Sequence, residues 1–531
     1  MKKFLSLAMA IVLAFSIVGC SNDPGESSES NSTDTPQPTG QESNVNKGGI
    51  MQMADSGEVN SLVWLNLSGY NDMIQSSMIY DYLLLLDVSG NVVPNLCESF
   101  TADADNLTYT LKLRKGILFQ DLSPFNAEAC KWNLDMYLEQ GVKNKAFLSN
   151  VESFEVVDEY TVAIHLTTWD TTIPIALCKE PGAMFSKQQW ETYGAEYCEQ
   201  HPIGTGPFIL ESWERDVNKT YVKFDQYWQG EPNLDGIELT IYHDSLVAQA
   251  AIEMGDIDEM FISDFSMAKT LSSNGYNVVV GGQPTRITML CFDETDEGDP
   301  LSDLRVRQAI SHAIDKQAIV DAIYLGYAQP TNQFAYPGSV YYSEDVVGYD
   351  YDLEKAKALL ADAGYPDGFS TTLIARSDAT LANVAAALQD QLSKIGVTVE
   401  LDVVDGGAFS TLLTGWGTGL FQHNSNLPTS ITYQMNSMFR NDLSGNVLGL
   451  STLLHPQDVH DGIVSAVGAE TEEDAQNDIK HVQELLFDKY CLFAPVCVTY
   501  ESVVKSDRLK DDGINEVTLY QNTLWKAWLD E

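Results

Sequence analysis

The sequence predicts an α/β protein of at least two lobes whose sheets are built differently. Three observations predict it. The chain is 531 residues long, more than one hydrophobic core usually serves. Its N-terminal half carries short runs in which apolar and polar residues alternate, the period of a half-buried strand. Its second half carries capped helical patterns and a strand–helix–strand unit, which requires parallel pairing.

In chain order, the first element is a targeting segment. Lys2 and Lys3 precede an apolar run from Phe4 to Val18, too short for a comfortable membrane span of ~20 residues. Ile17, Val18, Gly19 and Cys20 then have the form of a lipobox. Residues 1–19 are therefore expected to be a lipoprotein signal peptide and Cys20 the lipid-bearing first residue of the mature chain. Several acyl chains on one residue would anchor it stably. The stretch from Ser21 to Asn46, SNDPGESSESNSTDTPQPTGQESNVN, has almost no large apolar residue, so it cannot offset its ordering entropy and reads as a leash. Residues 20–47 are assigned to this lipidated cysteine and linker. Such an address belongs to a protein that works outside the cell while tethered to its membrane.

The body begins near Gly48. Leu107, Tyr109, Leu111 and Leu113 alternate with Thr108, Thr110, Lys112 and Arg114, predicting a strand. Val162, Ile164 and Leu166 predict another, with His165 on the polar face, and Ile237, Leu239 and Ile241 a third. Further on, Ser302 is a candidate N-cap for a helix carrying Leu304, Ile310, Ala313 and Ile314. Asp315 is a candidate cap for the next helix, ending at Gly326. Asp352 caps a helix with Ala356, Leu359, Leu360 and Ala363 on one face, stopped by Gly364 and Pro366. From Thr371 to Val403 the pattern reads strand, helix, strand, with Gly396 ending the helix.

Composition narrows the function. A formal net charge of −46 provides no basic footprint, which excludes nucleic-acid binding; the acidity reads as solubility. Beyond Cys20, seven cysteines remain, Cys97, Cys130, Cys178, Cys198, Cys291, Cys491 and Cys497. They lack zinc-ligand spacing and read mostly as small buried hydrophobes, with a Cys178–Cys198 bridge open. No structural metal and no cofactor is expected. Catalytic constellations are missing: no P-loop, HExxH or GxSxG occurs. The SxxK matches at Ser266–Lys269 and Ser502–Lys505 stand without their SDN and KTG partners. His455 and His460 read as a solvated loop rather than a metal pair.

Several segments together resemble the peptide/nickel family, family 5, of extracellular solute-binding proteins of ABC transporters. They are Pro202-Ile203-Gly204-Thr205-Gly206-Pro207-Phe208 with Leu210-Glu211-Ser212-Trp213, then Tyr227-Trp228-Gln229-Gly230-Glu231-Pro232, and Gly255 to Asp258. Leu304-Arg305-Val306-Arg307-Gln308-Ala309-Ile310 runs into Ala313-Ile314-Asp315-Lys316, and Glu354 to Leu360 runs into Ala363-Gly364-Tyr365-Pro366. Leu107 to Phe119 resembles the family's hairpin. The resemblance covers nearly all of the body. It implies a two-lobed periplasmic-binding-protein-like fold (type II, cluster C) with mixed sheets, a hinge and a first lobe enlarged by an extra subdomain. Residues 48–283 plus 499–531 would form lobe I and residues 284–498 lobe II, with crossings near Gly281–Thr285 and Val498–Glu501. It also implies a non-enzymatic monomer that captures a small solute between closing lobes and delivers it to an ABC permease and its ATPase subunits. A short peptide is the expected ligand, with a neutral oligosaccharide or a nickel complex as alternatives. A surface hydrolase or a ligand sensor is the rival of another class. The motifs themselves read as scaffold: the GTGPF glycines as a turn with positive φ, and the Arg305/Arg307 helix as cations at a surface or interface.

Two departures from the family bear on the ligand. The family's Phe-His-Asp-Gly is here Phe119-Gln120-Asp121-Leu122. After Trp416, where peptide-binding relatives carry an aspartate for the ligand's ammonium group, residues 406–441 contain no Asp or Glu, in a chain with 76 acids. A buried ammonium needs an anionic partner, so that partner must come from elsewhere or the ligand lacks an ammonium. The block offers Gln422, His423, Asn424, Ser425, Asn426 and Thr429 with Trp416, Phe421 and Tyr433, amides and aromatic faces suited to peptide backbones or hydroxylated ligands. Trp416, Phe421, Gln422, His423, Asn424 and Tyr433 are the candidate ligand-binding residues. The block could equally be a polar surface loop.

Overall fold

A computed structural model of the chain describes residues 45–513 and 524–530, apart from 68–69, 143–144, 414, 418, 428–429 and 441–450. The leader, Cys20 and the leash as far as residue 44 lie outside the described residues, as does Thr429.

The period-two runs form strands where expected, at Thr108–Leu113, Thr161–Leu166 and Gly236–Ile241. The first two belong to a separate antiparallel sheet ordered Cys97–Asp103, Thr108–Leu113, Thr161–Leu166, Val151–Asp158. Gly236–Ile241 enters an 11-stranded mixed sheet. Across that sheet the order is Thr398–Val404, Ser370–Arg376, Leu420–Asn426, Asn277–Phe292, Phe493–Lys505, Glu259–Ile262, Ile50–Asp55, Gly236–Ile241, Asn218–Lys223, Phe208–Glu214. Ala328–Pro330 pairs onto Phe493–Lys505. The predicted strand–helix–strand unit is Ser370–Arg376, Ala379–Ser393 and Thr398–Val404, with its strands parallel from Ser370↔Thr398 to Arg376↔Val404.

Two long antiparallel strands, Asn277–Phe292 and Phe493–Lys505, run through the middle, and their register breaks between Val280 and Pro284 and again between Pro284 and Arg286. Pro284 has no N–H for the ladder, which accounts for an irregularity at that point. Hydrophobic cores lie on either side of this break. One draws on residues 51–241 with Leu509 and Ala527. Two others draw wholly on residues 287–498.

Helix starts follow side-chain oxygens that accept orphan N–H groups. Asp352 accepts from Lys355 N, and Asp378 and Asp315 act likewise. Helix Leu304–Ala313 is capped by Asp303, which accepts from Arg305 N, and not by Ser302, whose residue sits in a preceding 3-10 turn. Arg305 stays at the surface on Asp303. Arg307 departs from the expectation of a surface cation: it is 2% exposed, pairs with Glu294 at 3.2 Å and donates to the Leu301, Ser302, Tyr490 and Cys491 carbonyls. The GTGPF glycines also serve a purpose other than the one expected. Gly204 and Gly206 do not have positive φ. A Cβ there would fall 2.1 Å from Ile79 O and 2.6 Å from Ile79 C, so they are needed for close backbone approach. All seven body cysteines are buried and free, so Cys178 and Cys198 are not bridged.

Candidate functional site

The part of the acid-free block that carries Phe421, Gln422, His423 and Asn424 is an interior strand and not a surface loop. Leu420–Asn426 lies between Asn277–Phe292, antiparallel from Arg286↔Asn426 to Phe292↔Leu420, and Ser370–Arg376, parallel at Leu373↔Leu420. Its side chains alternate across the sheet. Phe421 and His423 point to one face. There Phe421 stacks on Trp416 at 4.9 Å and on Phe409 at 4.6 Å, and His423 lies 6.3 Å from Phe421. Trp416 and Phe421 thus stack on one another inside the second core. Gln422 and Asn424 point to the opposite face. Asn424 Nδ2 donates to Thr288 Oγ1 at 3.0 Å, itself 3.1 Å from the Tyr324 hydroxyl. Both amide atoms of Gln422 and the Nδ1 of His423 are buried without a hydrogen-bond partner among the described residues. Burial lowers His423 to about 4, so it is a neutral imidazole.

Tyr433 sits differently. Ser430 caps helix Ile431–Phe439 by accepting from Tyr433 N. The Tyr433 ring stacks on Phe147 at 3.2 Å between centroids. Phe147 belongs to the core of residues 51–241, against which Tyr433 packs, so the stack joins that core to helix Ile431–Phe439. Glu180, 0% exposed, lies at the same place. Its turn is strapped to the strand Leu84–Leu86 region by Leu83 N donating to Gly182 O at 2.9 Å and by the Tyr82–Ala183 bridge. Burial first and the Glu180 charge next raise the Tyr433 hydroxyl to about 12, and the same two causes raise Tyr82 and Tyr137. The Glu180 side chain therefore acts on aromatic hydroxyls from three distant segments. On the other rim, Tyr336 Oη donates to Val88 O at 2.9 Å and Val340 N to Ser89 O at 3.2 Å.

A cation lies at the carboxyl end of the parallel strands, where open α/β sheets place ligands. Arg376 ends strand Ser370–Arg376 half-exposed, 3.6 Å from Asp378 and 6.0 Å from the Phe409 ring. Sequence reasoning missed Arg376, Glu180 and Phe147. Arg376 was within reach, as one of few cations at the end of a predicted parallel strand. Glu180 and Phe147 carry no local signal. Among the described residues no group of three or more His, Cys, Asp or Glu is placed to hold a metal ion, and no helix is long and apolar enough to cross a membrane.

This architecture is that of a two-lobed binding protein. Residues 91–437 match the family model for bacterial extracellular solute-binding proteins, family 5. The glutathione-binding protein GsiB of Salmonella typhimurium is 34% identical over 354 residues, covering 65% of this chain and 68% of its own. DppA from Helicobacter pylori in complex with peptide STSA has a TM-score of 0.75 at 21% identity, covering 92% of this chain and 99% of that one. NikA from Brucella suis in complex with Fe(III)-EDTA has a TM-score of 0.80 at 21% identity, covering 91% and 100%. The chain belongs to the family 5 extracellular solute-binding proteins. It is an extracytoplasmic solute-binding protein of an ABC importer and not an enzyme.

Proposed function

We propose that the ligand is a short peptide held between the lobes, with its ammonium group on Glu180 and its carboxylate on Arg376. The observation that carries this is the buried Glu180 carboxylate at the junction, which supplies the anion that residues 406–441 lack. The Tyr433, Tyr82 and Tyr137 hydroxyls all sense the Glu180 charge. Gln422, His423 and Asn424 add neutral polar groups on the second-lobe wall, shaped by Trp416 and Phe421. The peptide in DppA and the glutathione of GsiB's name point to the same class. The two lobes are taken as residues 48–283 plus 499–531 and residues 284–498. The segregated cores and the register break at Val280–Arg286 support that division. The leader and Cys20 support a lipid anchor on a monomeric body; Cys20→Ala should release the protein into the medium.

Calorimetry with glutathione and di- to pentapeptides tests the ligand. N-acetylating the best peptide is expected to weaken binding at least tenfold, and Glu180→Gln to do the same for the free peptide but not for the acetylated one. Silence of every peptide, with a response to nickel–histidine instead, would transfer the site to a metal chelate. His423, a neutral imidazole with an unpartnered Nδ1, gives that second reading its one ligand.

A further inference from the structure

Residues 169–172 belong to the first-lobe side and are rigid before they touch anything else. The Asp170 carboxylate accepts from Thr172 N at 2.8 Å, Thr172 Oγ1 at 2.6 Å and Asn150 Nδ2 at 2.9 Å. Trp169 stacks on Tyr109 at 4.6 Å and 15°. The donors that remain point at the other lobe. Trp169 Nε1 donates to Ala469 O at 2.7 Å, Thr171 N to Val467 O at 2.8 Å, and Thr171 Oγ1 to Ala466 O at 3.0 Å.

Their acceptors lie at the carboxyl end of helix Gln457–Val467, whose buried face is Val459, Ile463, Ala466 and Val467 in the second-lobe core. The last carbonyls of a helix have no partner within it and carry the negative end of its dipole. Gly468 N returns to Val464 O at 3.0 Å and Ala469 N to Ala466 O at 3.5 Å, so the Ala466 carbonyl is shared with a local donor while the Val467 and Ala469 carbonyls are left to donors from elsewhere. Trp169, one of those donors, is 300 residues from Ala469 in sequence. The helix is thus capped by the opposite lobe.

We propose that Trp169 and Thr171 are a latch: closing the cleft seats three first-lobe donors on the carboxyl end of helix Gln457–Val467, and opening returns both sides to water. The latch rests on the reading that ligand binds between the lobes, but its bonds are made without touching ligand. Part of the stability of the closed state therefore comes from the protein itself. The closed form is populated before ligand arrives, and apparent affinity scales with that population. Each bond is worth roughly two- to tenfold in the closing equilibrium.

The test uses the full chain and two shape-preserving changes, Trp169→Phe, which keeps the Tyr109 stack but removes the indole N–H, and Thr171→Val, which removes the hydroxyl. Amide hydrogen exchange of Thr171 is read without ligand, and affinity is read with glutathione and the peptide panel. The double variant is expected to exchange the backbone amide of residue 171 at least tenfold faster after correction for its intrinsic rate, to bind about tenfold more weakly through faster dissociation, and to keep its urea midpoint. If the double variant does not fold, Thr171→Val alone carries the test with a smaller expected change. An unprotected Thr171 amide in the parent chain, or variants that change neither exchange nor affinity, would overturn the latch. A chain that binds none of the peptides overturns the peptide reading alone, because the exchange experiment needs no ligand.

Discussion

His423 shows how far a side chain's role depends on its surroundings. In isolation it is a titratable group with an ordinary pKa near 6.5; within the strand, burial holds it neutral down to about 4. The unfolded chain takes up that proton below about 6.5 and the folded chain does not. The fold's advantage from this residue is present above about 6.5 and is lost as the pH falls toward 4. His423→Gln should flatten the fall in unfolding free energy over that window, measured by urea titration at several pH values; an identical slope would assign the titration to another group. Asp81 works in the opposite sense. Burial raises it to about 7 against the hydrogen bonds from Trp228 and Tyr227, so its contribution weakens as the pH rises from about 4 to 7. Trp416 makes the second point at this scale. Its residue type suggested a contact platform, but the ring is buried and stacked on Phe421, which in turn stacks on Phe409. Trp416→Ala should cost about 3–5 kcal/mol of stability as a core truncation, read as a drop in the thermal midpoint; a binding defect at unchanged stability would return it to the site.

At the scale of elements, the turn at Phe119-Gln120-Asp121-Leu122 explains a departure that the sequence alone left open. Gln120 is buried and its amide donates to Ile79 O, Gly206 O and Phe208 O while accepting from Gly204 N. It ties the turn to the close-packed GTGPF segment. Leu122, where the family has glycine, adopts φ +66 with its side chain 55% exposed. An exposed leucine in a left-handed conformation holds strain that a glycine would relieve. Leu122→Gly should therefore stabilise the protein by about 1 kcal/mol, less what the more flexible unfolded chain takes back. A lower thermal midpoint for that variant would show that the Leu122 side chain contributes packing. The interior position of Leu420–Asn426 is likewise a property of elements. Nothing in Gln-His-Asn-Ser-Asn suggests a central strand, because Gln422 and His423 are polar yet buried.

Among the described residues, the core of residues 51–241 and the two cores of residues 287–498 are joined through two long strands whose register breaks between Val280 and Arg286, and a fourth core gathers Ala54, Ala248, Leu271 and Val504 with Tyr327. The junction contacts are spread over both rims: Tyr433 on Phe147, Tyr336 and Val340 on Val88 and Ser89, and the Trp169–Thr171 segment on helix Gln457–Val467. A ligand can shift the balance of open and closed forms only by its differential affinity for them. Substitutions at the junction should consequently move affinity without moving ligand preference. Phe147→Leu, which removes the stack with Tyr433, is expected to weaken all binding peptides by a similar factor in calorimetry. A reordering of the peptides would instead make Phe147 a specificity residue.

The sequence by itself determined the α/β class, the parallel unit at 370–404 and the capping aspartates Asp315 and Asp352. These are written in local periodicity, turn chemistry and short motifs, where each residue acts through its near neighbours. The family resemblance extended the reading to two lobes and to transport. The tertiary structure alone decided which polar residues are buried, that Arg307 is an interior hub, that Gly204 and Gly206 serve close approach, and that an acid and aromatic rings from distant segments meet at the junction. Those facts arise from contacts between residues hundreds of positions apart, and burial, which sets their charge and their accessibility, is a property of the packed molecule rather than of the residue.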